Sequence, residues 1–94
     1  MGAKGGVRQD ERQFNEGVSG RVEELRRAHN VQRGELARVA GVTQQMLYAY
    51  ETGVTRWPVF RLRLIAAFFD VDVDELMPEI KKYVVSSPLQ RKLL

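Results

Sequence analysis

The chain has 94 residues, an apolar fraction of 44%, a formal charge of +3 and no cysteine. This length allows one small domain, and the lack of cysteine excludes a disulfide framework and a cysteine-based zinc site. Its apolar runs are far shorter than the roughly 20 residues of a membrane span, and the mild positive charge is compatible with nucleic-acid binding, so we expect a cytoplasmic protein without membrane association.

The N-terminal half of the chain begins with a glycine-rich, mixed-charge segment. Because residues 1–17 hold few large apolar side chains, they predict a flexible N-terminal arm. Helical spacing of apolar residues begins near Ser19, and Asn30 is a candidate for the left-handed residue that follows a helix end. A second short helix is predicted to begin at Gln32 or Arg33 and to end at a glycine.

The third predicted helix lies between two strong boundary signals. Thr43 is a good N-cap residue, and Gly53 suits the left-handed conformation that ends many helices. Gln44 and Gln45 stand at the exposed start of this helix, directly after a tight turn. Because a glutamine amide can bond N6 and N7 of adenine together, this arrangement indicates a helix that reads bases in the DNA major groove.

The C-terminal half predicts two more helices and an extension. Pro58 suits the start of an apolar fourth helix, and Asp72 with Glu75 forms the pattern of a capping box for a fifth. We therefore predict an all-α fold, a compact five-helix bundle that contains a helix-turn-helix. Residues 18–78 form the predicted DNA-binding domain, and the apolar residues 79–94 form an extension for dimerisation or partner binding.

Five marks in the expected order carry a resemblance to a known family. The span from Arg21 to Met77 resembles, without a gap, the Xre-like helix-turn-helix domain of phage repressor and Cro proteins. The marks are Glu35-Leu36-Ala37, Gly41-Val42-Thr43, Glu51-x-Gly53, Leu62-x-x-Ile65-Ala66-x-x-Phe69 and Val71-Asp72-x-Asp74-Glu75-Leu76. The reading helix is similar to that of the repressor of lambdoid phage 434, and the resemblance implies a homodimer on double-stranded operator DNA.

The resemblance also implies roles for individual residues. The residues expected to face base edges are Gln44, Gln45, Tyr48 and Ala49. The residues expected at the DNA backbone or minor groove are Gln32, Arg33, Thr43, Arg56 and Trp57. Arg26 and Glu51 match a family pair that ties the first helix to the third.

Three positions depart from the usual family pattern. Arg33 replaces a common glutamine, which keeps a phosphate contact but weakens the usual link to Gln44. Ala49 is too short to bond adenine, although its methyl group suits a thymine methyl. Trp57 stands where a basic residue or proline is common, while Arg56 retains a positive charge beside it. The operator sequence of a relative therefore cannot be transferred to this protein.

The leading hypothesis is a sequence-specific transcriptional regulator of the repressor or Cro type. One alternative is an antitoxin that regulates its own operon and binds a toxin through residues 79–94, and another is a restriction–modification controller. The chain has one histidine, no cysteine and no glycine-rich phosphate loop after a strand, so we expect neither an enzyme nor a metal site or cofactor.

Overall fold

Four α-helices and one short helical turn make up the part of the chain that the computed structural model describes. The structure describes residues 2–79, with side chains from residue 10 onward. The elements are α1 (Gly2–Ala28), α2 (Arg33–Ala40), α3 (Gln44–Thr52), α4 (Val59–Phe69) and a 3-10 turn (Val73–Leu76). The all-α prediction agrees with this architecture. No helix within this part of the chain is long and apolar enough to cross a membrane.

The predicted fifth helix is wrong within the described residues. Its capping box is present, since the amide of Asp72 donates to Glu75 Oε2 over 3.0 Å. However, the turn ends at Leu76, and Met77 adopts an extended conformation with φ −112° and ψ 137°. Pro78 explains this end, because a proline ring disfavours the helical conformation of the residue before it. The residues predicted to continue this helix beyond 79 lie outside the described part.

Helix α1 runs through the segment that was predicted to be a flexible arm. It is continuous over 27 residues from Gly2. The half-buried Phe14 packs against the hydrophobic core, and a Cβ atom added at Gly17 would collide with the side chain of Pro78. Residues 2–17 are thus helical, while the flexibility of the arm and the domain boundaries stay predictions.

Left-handed residues end all four helices. Asn30, Gly41, Gly53 and Asp70 have φ values of 57°, 73°, 82° and 56°. After each of them except Gly53 the chain turns back and bonds the last carbonyl groups of the helix, as in the Schellman motif. Arg61 adds a link between helices, because its Nη1 donates to the Ala40 carbonyl over 3.3 Å at the end of α2.

Residues from all five elements and from the connections form the core. The most deeply buried large side chains are Val18, Val22, Leu36, Leu47, Ile65 and Leu76. Phe69 is also buried, whereas Phe60 and Phe68 are 62% and 44% exposed. Helix α3 packs on α1 and α2, and this packing determines which of its faces points outward.

Candidate nucleic-acid interface

The helix-turn-helix consists of α2, the turn Gly41–Val42–Thr43 and α3. The amide of Val42 donates to the Ala37 carbonyl over 2.9 Å, which folds the turn back onto α2. Thr43 is the N-cap of α3, and its Oγ1 accepts from the amide of Met46 over 3.1 Å. The turn and the predicted cap are thus confirmed, and they determine where α3 begins.

The two faces of α3 have different surroundings. Leu47 and Tyr50 point inward and are 1% and 4% exposed. Gln44, Gln45 and Tyr48 are exposed on the outer side. Neither glutamine amide has a hydrogen-bond partner among residues 10–79, so its donor and acceptor are open to a ligand. This outer face of α3 is called the reading face below.

Of the four residues predicted to face bases, three lie on the reading face. They are Gln44, Gln45 and Tyr48, and Tyr48 is 60% exposed. Ala49 is half-buried and lies at the margin of this face. The structure therefore brings together the exposed side chains needed for contact with a groove, and their contact with bases stays a prediction.

Two of the candidate backbone contacts already pair with carboxylates. Arg33 Nε lies 3.8 Å from Glu51 Oε1, and the Arg33 side chain is 53% exposed. Arg56 is 75% exposed, and its Nη2 donates to Glu11 Oε1 over 3.0 Å. Gln32 is exposed at the N-cap of α2 without a side-chain capping bond. All three side chains are accessible to a phosphate.

Glu51 is the carboxylate with the least favourable surroundings in the described structure. Its side chain is only 12% exposed, and Oε1 is buried without a hydrogen bond to another described residue. Burial raises the pKa of Glu51 above its ordinary value, and the nearby charge of Arg33 partly opposes this shift. Glu51 is therefore a largely buried carboxylate whose nearest positive charge is the exposed Arg33.

Arg26 makes no direct ion pair with Glu51, the contact that the resemblance implies, although its charge lowers the pKa of Glu51. Arg26 Nη2 lies 2.8 Å from Glu23 Oε2, one turn back on α1, and its Nε also donates to Glu23. Its Nη1 donates to the Val31 carbonyl over 2.8 Å. The contacts made with Glu23, chiefly the bond from Arg26, lower the pKa of Glu23 to about 2. The local spacing of Glu23 and Arg26 was the overlooked signal, since residues three apart on a helix are neighbours.

Trp57 is a core residue, which corrects its predicted place at the DNA surface. It is 6% exposed, and its ring lies 5.2 Å from that of Tyr50. Its Nε1 donates to Ser19 Oγ over 2.9 Å, and Ser19 Oγ in turn donates to the Tyr50 carbonyl over 3.4 Å. Buried tryptophans usually find such a partner. This chain of bonds ties α3 to α1 in place of the predicted ion pair.

The acidic side chains and the histidine lie apart in the part of the chain that the structure describes. Its histidine, aspartate and glutamate side chains form no group of three able to hold an ion. His29, which is the one histidine of the chain, lies against the ring of Phe69, with ring centroids 5.1 Å apart.

Comparison with known proteins identifies the domain. The family model HTH_3, described as helix-turn-helix, matches residues 22–76. This range lies within the span that resembled the Xre-like class and includes α2, the turn and α3. No curated protein matches the sequence significantly.

Two solved structures share the fold. An HTH_3 family transcriptional regulator from Vibrio cholerae is 20% identical and has a TM-score of 0.62 over 70% of this chain. The chain spans only 37% of the length of that regulator. A chain of the SinR protein/SinI protein complex is 26% identical, with a TM-score of 0.58, and the match covers 81% of this chain and 73% of that one.

The sequence match and the structural matches agree on the same domain. The match to the family model covers more than half of the chain, and its helix-turn-helix is the one whose capped turn and reading face are described above. The chain belongs to the HTH_3 family of helix-turn-helix proteins, the Xre-like and lambda-repressor-like class of DNA-binding transcriptional regulators.

Proposed function

We propose that the protein is a sequence-specific transcriptional regulator of the repressor or Cro type, which reads operator half-sites in the major groove with α3. The reading face carries this proposal. It presents two glutamine amides that have no partner among the described residues, while the inner face of the same helix is buried. A rigid helix with unpaired polar side chains at its exposed start has the form that base recognition requires.

Each residue of the reading face has a proposed role. Gln44 and Gln45 bond base edges, and a good bidentate pair with adenine contributes about 1–3 kcal/mol of discrimination. Tyr48 contacts the groove beside them, and the methyl group of Ala49 packs on a thymine methyl where the helix lies deep enough. The sequence preference of the protein thus depends mainly on the two glutamines.

Arg33 and Arg56 are proposed to bind phosphates, with Gln32 and Thr43 beside them. Both arginines would exchange a carboxylate for a phosphate on binding DNA. The Arg56 pair is exposed on both sides, and such pairs contribute only about 0–1 kcal/mol, so this exchange is inexpensive. Arg33 is held only loosely by its carboxylate, because its Nε lies 3.8 Å from Glu51, which is too far for a good hydrogen bond. This long contact favours the exchange.

We further propose a homodimer that binds two half-sites about 34–36 Å apart, as the class does. A protein partner that binds through residues 79–94 is also proposed. The structural match to a chain of the SinR protein/SinI protein complex supports this, since a related domain is found there with a second protein. The antitoxin and restriction–modification alternatives stay predictions.

The proposal is tested by selecting bound sequences from random duplex DNA and measuring the affinity for the best sequence at several salt concentrations. We expect a two-fold symmetric site and an affinity that falls steeply with salt. Arg33→Ala should weaken all sequences alike and lower the salt slope by about 1, as expected for one phosphate contact. Arg21→Ala is the matched control, because Arg21 contacts the carbonyl of Glu75 in the 3-10 turn.

Selection of no preferred sequence, with equal affinity for all duplexes, would contradict a sequence-specific regulator. An asymmetric single site would contradict the homodimer alone. Sedimentation of the free protein and of its complex with the selected duplex measures the stoichiometry directly. Partner binding is tested by removing residues 79–94 and comparing the proteins that co-purify with the full and the shortened chain.

A further inference from the structure

We propose that Gly34 is a positioning residue for DNA recognition, because it determines the orientation of the Gln44 side chain. This inference rests on the proposed function, since it concerns the base preference that Gln44 provides. Gly34 is the second residue of α2 and lies across the helix-turn-helix from the start of α3. It touches no DNA in this account and acts only through Gln44.

The evidence is a close approach between the two residues. A Cβ atom added at Gly34 would lie 3.1 Å from Gln44 Nε2 and 3.6 Å from its Cδ. The first distance is shorter than an ordinary van der Waals contact, which lies near 3.5–4.0 Å. The amide end of Gln44 therefore lies against the backbone of α2, in space that a side chain on residue 34 would occupy.

The backbone itself does not require glycine at this position. Gly34 lies inside a helix, and only Gly41 and Gly53 have positive φ among the described glycines. Glycine in a helix is less favourable than alanine, because it loses more conformational freedom on folding. Alanine at this position would disturb the close approach of Gln44. This approach connects Gly34 with the reading face.

The space left by the missing side chain of Gly34 allows the Gln44 amide to lie close to α2 in the free protein. Its amide has no hydrogen-bond partner among the described residues, and the side chain is exposed. A methyl group on residue 34 would push the amide away from α2 without disturbing the core. Because bidentate bonds to adenine depend on the direction of the amide, a small displacement is expected to weaken base discrimination before it affects folding.

Gly20 provides a matched control within the same chain. It also lies inside a helix, α1, and a Cβ atom added there would meet nothing within 4 Å. Gly20→Ala and Gly34→Ala therefore make the same chemical change in helical backbone, Gly20 in the interior of α1 and Gly34 in the first turn of α2. They differ in the contact with Gln44.

The test combines Gly34→Ala and Gln44→Ala in a double-mutant cycle, on the selected duplex and its single-base variants. We expect Gly34→Ala to reduce the preference at the base pair read by Gln44 by at least about 5-fold, within the range of one bidentate contact. In the Gln44→Ala background the same change should alter the affinity by less than about 2-fold, because the restrained side chain is absent. Gly20→Ala should leave the preference unchanged.

A second measurement needs no DNA. In the free protein, Gly34→Ala should shift the side-chain amide resonances of Gln44, while Gly20→Ala should leave them in place. Unchanged Gln44 resonances in Gly34→Ala would overturn the inference. Loss of folding would overturn it too, because the account requires the exposed Gln44 to move rather than the backbone.

The two proposals can fail separately. If Gln44→Ala leaves the base preference unchanged, Gln44 is not a reader and the proposed function loses that assignment. If Gln44→Ala abolishes the preference while Gly34→Ala keeps it in full, the proposed function stands and the positioning role of Gly34 is wrong.

Discussion

The two faces of α3 show how one helix separates stability from recognition. Its inner face is buried through Leu47 and Tyr50, and the Tyr50 carbonyl accepts a bond from Ser19 of α1. Its outer face presents Gln44 and Gln45 without partners among the described residues. Inner substitutions should therefore change the free energy of unfolding, whereas outer substitutions should change DNA preference with little effect on folding.

The largest loss of stability is expected on substitution of Trp57, whose ring packs against Tyr50 on the inner face of α3. Trp57→Ala should lower the free energy of unfolding by about 3–5 kcal/mol, because it removes a buried ring and leaves a cavity. Trp57→Phe keeps most of the apolar volume but loses the bond to Ser19, and should cost about 1–2 kcal/mol. Urea denaturation followed by circular dichroism measures both losses.

DNA binding provides the control for Trp57. At a temperature where Trp57→Phe is fully folded, its affinity for the selected duplex should equal that of the wild type. A large loss of affinity in the folded variant would show that the indole contacts DNA, and it would contradict the assignment of Trp57 to the core.

A smaller effect is expected for Glu23, whose pKa is held at about 2 mainly by the bond from Arg26. Glu23→Gln should lower the free energy of unfolding at pH 7 by roughly 1–2 kcal/mol, less than the full shift implies because the side chain is still 26% exposed. A lowered pKa stabilises the fold above the unfolded value and loses this effect as pH falls toward 2. The wild-type advantage should therefore shrink below about pH 4.5.

A pH-independent difference between the wild type and Glu23→Gln would contradict this account. It would mean that the glutamate acts through packing and not through its charge. Denaturation at pH 7 and at pH 3 distinguishes the two explanations.

Glu51 is expected to show the opposite dependence on pH, with a smaller amplitude. Because burial raises its pKa, protonation favours the folded state, and the contribution to stability falls as pH rises through the folded pKa. The charges that face Glu51 are Arg33 of α2 and Glu23 and Arg26 of α1. Glu51→Gln should remove this decline above pH 4.5, and a decline equal to that of the wild type would contradict the assignment.

Local signals in the sequence predicted most of the helix-turn-helix. The cap at Thr43, the left-handed residues Asn30 and Gly41, and the capping box at Asp72 each depend on a few neighbouring residues. Such short-range chemistry is readable without knowing the fold. The predicted span of the family resemblance agreed with the matched residues for the same reason.

Contacts between residues far apart in the sequence could not be predicted in the same way. Trp57 can be buried because Ser19, 38 residues earlier, accepts a hydrogen bond from its indole. No local pattern in the sequence predicts that contact. Arg26 has several acidic residues within reach, and its partner Glu23 on the same helix was overlooked in favour of one implied by the family. The close approach of Gln44 to Gly34 likewise depends on how α2 and α3 are packed.

The smallest change in stability is expected for Gln45, a residue of the reading face that is proposed to recognise bases. Gln45→Ala should change the free energy of unfolding by no more than about 0.5 kcal/mol, as for most exposed substitutions. Gln13→Ala is the matched control, because Gln13 is exposed on α1, away from the reading face.

Selection of bound sequences with these two variants tests whether the outer face of α3 reads bases. Gln45→Ala should lose the preference at one base pair in each half-site and keep the others, whereas Gln13→Ala should select the wild-type sequence. If Gln45→Ala also selects the full wild-type sequence, the outer face of α3 does not read DNA through this residue, and the role proposed for Gln45 is wrong.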